Sequence, residues 1–147
     1  MKKKLLIASL AALAGLGALF AIYVLPHLGS DYVPPDLAVR AVGQPVPDFT
    51  LPDVNGRQVS LADFRGRTVV LEWNNPECPF TQKHYDSGNM QRTQAAATGN
   101  GVVWLSINSS APGNQGHMDA AEAREVVGES GARPTHYLLD PRGQVGR

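Results

Sequence analysis

The sequence predicts an α/β domain with a largely parallel sheet. Short apolar runs rich in branched residues alternate with longer helical stretches, in the order strand, helix, strand, helix, strand, between residues 68 and 140. Of the 147 residues, 43% are apolar and 18% charged, the mix of a packed globular chain of one domain rather than a disordered one. A third observation divides the chain: residues 5–25 carry no charge and follow Lys2, Lys3 and Lys4.

At 1.5 Å per helical residue those 21 uncharged residues span about 31 Å, close to a bilayer core of roughly 30 Å. Three lysines before the run, with little positive charge just after it, favour an N-terminus held inside and a body outside. Residues 1–28 therefore read as a signal-anchor or transmembrane segment. Residues 29–41, with Pro34 and Pro35, read as a stiff linker, and residues 42–147 as the folded domain. The expected location is the inner (cytoplasmic) membrane, single-pass, with the domain facing the periplasm. The alternative is a cleaved signal that releases the domain to the periplasm, but the run is long for a signal core and no good small-x-small site follows it. Thirteen basic residues balance thirteen acidic ones, and without the three leading lysines ten face thirteen. A weakly acidic body gives no reason to expect a nucleic-acid partner.

The domain's elements follow in order. "DFTLPDVNGRQVSL" places short apolar runs around Asn55-Gly56, a strong hairpin signal, so residues 49–51 and 58–61 are expected to pair. "TVVLEW" is a buried strand entered through the turn at Gly66. Pro79 suits a first helical turn, and "QAAAT" before Gly99 suits a helix end, which predicts one helix over about 79–97. "VVWLSI" is a second buried strand. A loop with Pro112, Gly113 and Gly116 leads to a helix over about 118–127, and "HYLLD" makes a strand closed by a Pro-Arg-Gly turn.

This order places Cys78, the single Cys of the chain, at a helix N-terminus on the carboxyl edge of the sheet. Unsatisfied N–H groups and the helix dipole there stabilise an anion and so favour a thiolate. The competing reading, a Cys packed as a small hydrophobe, fits poorly with Pro, Glu and Asn neighbours. Thr81, Gln82 and Tyr85 lie three, four and seven residues on and share the face of Cys78. Thr81 can donate its hydroxyl to the thiolate, or serve only as a helix-start hydrogen-bonding group. His84 points away from that face.

"VGQPVPDFTLPDVNGRQVSLADFRGRTVVLEW" followed by a Pro-flanked Cys resembles the redoxin branch of the thioredoxin superfamily. That branch also holds the alkyl hydroperoxide reductase and thiol-specific antioxidant (AhpC/TSA) proteins. The resemblance covers residues 42–147 and implies a thioredoxin-like fold of a mostly parallel sheet flanked by helices. It also implies thiol-dependent reduction of peroxides or disulfides, with an external thiol as reductant. Glu72 occupies the place of the thioredoxins' buried Asp, which would make it a proton carrier beneath the site; the other reading is a side chain on a solvated strand face. Trp73, Pro76 and Pro79 match residues that shape the family's site; the other reading of Trp73 is a core residue.

Three departures from the family pattern stand out. Leu71 and Asn75 replace the Pro and Thr of peroxidatic sites, and Thr81 replaces the second Cys of a Cys-x-x-Cys site, so no internal disulfide can form. "GARPTHYLLDPRGQVGR" either carries the cis-Pro at Pro134 or resembles the strand and turn that precede it. The second reading implies that the closing hairpin strands and the last helix are missing. A thioredoxin-fold binding or scaffold module without catalysis is the rival expectation. His27, His84, His117 and His136 are scattered, so no metal and no cofactor are expected.

Overall fold

The computed structural model describes residues 43–146. The expected membrane segment, residues 1–28, and the linker, residues 29–41, lie outside the described residues. Among those described, no helix is long and apolar enough to cross a membrane.

Strands β1 (Thr50–Pro52) and β2 (Gln58–Ser60) form the antiparallel hairpin, with Leu51 opposite Val59. Gly56 takes a φ of 80° at its tip, and the Asp53 carboxylate fixes the turn by accepting the N–H groups of Asn55 and Arg57, each at 2.9 Å. A 3-10 turn over Leu61–Phe64, which the sequence pattern does not predict, follows with a capping box between Ser60 and Asp63.

The main sheet is parallel throughout, in the order β3 (Val69–Trp73), β4 (Val103–Asn108), β5 (His136–Leu139). Parallel neighbours need crossover segments, and helices supply them. Where one helix is expected over 79–97, there are two, α1 (Pro79–Asp86) and α2 (Asn89–Gly99). Gly88 breaks the run: its φ of 69° is a left-handed conformation that an L side chain resists, and it ends the i to i−4 ladder. The second crossover, α3 (Ala120–Ser130), starts at Asp119, whose carboxylate accepts from Ala121 and Glu122, and ends at Gly131 with a φ of 63°.

All six residues of the central strand β4 are buried, and its two faces differ. Val103, Leu105 and Ile107 pack with Leu51, Val59 and Leu138 into the apolar core beneath the hairpin. Trp104 and Ser106 point the other way, where Glu72 and α2's Gln94 meet them. The sheet's carboxyl edge is therefore built above a polar layer.

Candidate functional site

The chain leaves β3 at Trp73 and turns through residues 74–78 into α1. Asn74 N–H donates to the Ile107 carbonyl at 2.9 Å, extending the sheet by one residue. Asn75 then closes the turn: its carbonyl accepts from Cys78 N–H at 3.1 Å and its side-chain oxygen from Glu77 N–H at 2.9 Å. Cys78 is the N-cap of α1, with extended backbone, and Pro79 occupies the first helical position, where a missing N–H costs nothing. Cys78 lines an open cavity of about 260 Å³ with Trp73, Thr81 and Ser110. Trp73 is 51% exposed, so it walls this cavity rather than the core, and the neighbouring Phe80 is 78% exposed.

The thiol of Cys78 makes no closed capping bond, yet its pKa is lowered from the ordinary thiol value. The backbone N–H of Thr81 contributes most, then that of Phe80, while slight burial opposes them and the Thr81 hydroxyl adds last. Thr81 thus acts chiefly through its peptide N–H, a contribution that any residue but Pro could make there.

Glu72 faces inward under this loop. Its Oε2 accepts from Trp104 Nε1 and Ser106 Oγ, both at 2.7 Å, and from Gln94 Nε2 at 3.1 Å. Its Oε1 accepts from Tyr85 OH at 3.0 Å and Asn74 Nδ2 at 3.3 Å. Five donors surround the carboxylate, and Cys78 is not among them. Asn74 joins this layer to β5, since its Oδ1 accepts from Tyr137 OH at 2.9 Å. Burial, followed by the nearby Glu72 carboxylate, pushes the Tyr85 phenol above the usual tyrosine range; Tyr137 is raised mainly by burial.

A model of the AhpC/TSA family matches residues 42–147. The chain belongs to the AhpC/TSA family. It is 30% identical over 116 residues to the thiol-disulfide oxidoreductase ResA of Geobacillus thermodenitrificans, a match that spans 71% of this chain and 67% of ResA. Among solved structures, a hypothetical protein of Sinorhizobium meliloti 1021 superposes with a TM-score of 0.64 at 22% identity, covering 73% of this chain and 57% of that one. A secreted disulfide oxidoreductase of Mycobacterium tuberculosis gives 0.52 at 22% identity, covering 65% and 63%. These two likenesses establish the thioredoxin-like fold.

Within this AhpC/TSA domain, Cys78 and Thr81 share one cavity with Trp73, while Glu72 lies in the polar layer and Pro76 lines a second cavity. Among the described residues all peptide bonds are trans, Pro134 included, and no group of His, Cys, Asp and Glu could hold a metal ion. His84 pairs with Asn89 at 3.2 Å, away from the thiol.

The sequence reading missed the loop that grips the Cys turn. Gly116 N–H donates to Glu77 Oε2 at 3.1 Å, Gln115 Nε2 to the Glu77 carbonyl at 3.3 Å, and Asn75 Nδ2 to the Gln115 carbonyl at 3.4 Å. Asn108, almost fully buried, bridges the carbonyls of Asn74 and Gly116, at 3.2 and 2.9 Å. Glu77 is therefore tied to the opposite loop. The available signals were polar residues in apolar settings: Ser106 and Asn108 at the end of "VVWLSIN", and Gln94 before three alanines.

Proposed function

We propose that this chain is a thiol-dependent oxidoreductase that uses Cys78 as its one nucleophile, with disulfides as the favoured substrate and peroxides as the alternative. The observation that carries the reading is a lone Cys at a helix N-terminus, on the carboxyl edge of a parallel sheet, with a lowered pKa. The Cys78 thiolate attacks one sulfur of a disulfide, forms a mixed disulfide and expels the other sulfur as a thiolate. An external thiol then attacks the mixed disulfide and regenerates Cys78. With a peroxide, attack on one oxygen gives the sulfenic acid and an alcohol or water, and external thiols again return it to the thiolate. Similarity to a thiol-disulfide oxidoreductase and the absence of the peroxidatic Pro and Thr support the disulfide arm.

Alkylation of Cys78 as a function of pH, together with mass detection of its adducts, tests this reading. The expected results are a midpoint below about 8.5, the ordinary thiol value, and an adduct after exposure to a small disulfide. In Thr81→Cys the two sulfurs sit three residues apart on the first helical turn, an internal disulfide forms and insulin reduction rises. No adduct with the native chain and no activity in the variant would favour the binding-module reading, which the Thr at position 81 supports.

The proposal extends to topology: residues 1–28 anchor the chain in the inner membrane, residues 29–41 form a linker, and residues 42–147 face the periplasm. Charge placement around residues 5–25 supports it. The chain should stay in membranes after a carbonate wash; a shortened soluble form would show signal cleavage instead.

A further inference from the structure

A second cavity, of about 170 Å³, lies between α1 and the C-terminal end of α3. Thr81 and Asn74 line both this cavity and the one that holds Cys78, so the two adjoin. Its walls are mostly apolar surface, from residues such as Pro76, Val127 and Tyr137, interrupted by the polar side chains of Gln82 and Ser130, and Asp86 and Glu129 stand exposed at its rim. No Lys, Arg or His lines it. The cavity is already built, because Gln91 Nε2 straps the two helices together by donating to the carbonyls of Tyr85 at 2.9 Å and Ser130 at 2.6 Å, both on lining residues.

We propose that this cavity receives a cationic side chain, Lys or Arg, that flanks the reacting sulfur of a polypeptide disulfide. The proposal rests on the Cys78 reading above and adds the charge and shape of what Cys78 attacks. Size favours a single side chain, since pockets for whole small ligands run to roughly 300–1,000 Å³. Lys and Arg pair an aliphatic stem with a charged head, which matches mostly apolar walls leading to a rim of two carboxylates. An anionic side chain would meet like charge at the rim and find no compensating cation. A polypeptide is the fitting carrier because exposed Trp73 and Phe80 beside Cys78 offer apolar surface that an extended chain would cover.

The test uses the full chain in detergent and peptides that each carry one Cys as a 2-pyridyl disulfide. Arg, its neutral isostere citrulline, or Glu is placed in turn at each of several flanking positions. Release of pyridine-2-thione reports formation of the Cys78 adduct. At the best position and low salt, the Arg peptide should react roughly fivefold faster than the citrulline peptide, the scale of one or two rim ion pairs. The Glu peptide should be slowest. In the double variant Asp86→Asn, Glu129→Gln, at two exposed positions, the ratio of the Arg rate to the citrulline rate should fall to about one, with the far-UV spectrum and melting curve checking that the fold is kept. Equal Arg and citrulline rates at every position, or an Arg advantage that survives in the double variant, overturns the proposal and leaves Cys78 chemistry standing. Absence of release from every peptide overturns the Cys78 reading itself.

Discussion

Replacing Glu72 by Leu removes the acceptor shared by five donors while keeping the side chain's bulk. Two of those donors, Trp104 Nε1 and Ser106 Oγ, have Oε2 of Glu72 as their hydrogen-bond acceptor, and both residues are buried, Ser106 completely. Each stranded buried donor costs about 1–3 kcal/mol, so the pair costs about 4 kcal/mol. Gln94 Nε2 keeps its bond to Tyr85 OH at 3.0 Å and is partly spared. The added apolar burial of Leu returns about 1 kcal/mol, which leaves a net loss of about 3 kcal/mol. For a domain of roughly 100 residues that lowers the melting temperature by roughly 10–25 °C, and in urea it moves the midpoint by about 1–3 M. Fluorescence of Trp73 and Trp104 reports the transition, and Glu72→Gln, which keeps one acceptor oxygen, should fall between the native chain and the Leu variant. A loss below about 1 kcal/mol for Glu72→Leu would mean that the carboxylate is not the shared acceptor.

Two further outcomes follow from the loop and the hairpin. Gly116 combines a φ of 73° with direct apposition to the Asn75 side chain, so Gly116→Ala should cost about 1–3 kcal/mol and shift the Cys78 alkylation midpoint by loosening the turn, whereas Gly113→Ala, with open space around it, should leave that midpoint unchanged; equal midpoints in both variants would sever the loop from the thiol. Burial works to raise the Asp53 pKa, but the N–H groups of Arg57 and Asn55 and the side chain of His136 outweigh it, and the net value is lowered. A depressed carboxyl stabilises the fold above its unfolded value, about 3.9, and that contribution is lost as pH falls through the folded value. Between about pH 5 and 2.5 the urea midpoint of the native chain should therefore fall more steeply than that of Asp53→Asn, and parallel curves would refute the assignment.

What the sequence determined by itself is local in origin. Branched runs name the strands, Asn55-Gly56 names the hairpin, and Pro79 after a strand and turn puts Cys78 at a helix N-terminus, because each signal depends on neighbours a few residues away. The break at Gly88 is a weaker local signal, since isolated Gly is tolerated within helical patterns. Tertiary structure alone decided what Glu72 does. Periodicity places it on one face of β3, but only the parallel register that sets it opposite Ser106, with α2 packed above, brings Trp104, Gln94 and Tyr85 to its two oxygens. The grip of residues 115 and 116 on the Cys turn and the cavity between α1 and α3 arise likewise from segments about 40 residues apart. A buried polar group must find partners wherever the chain brings them, and no sequence period records a partner that far away.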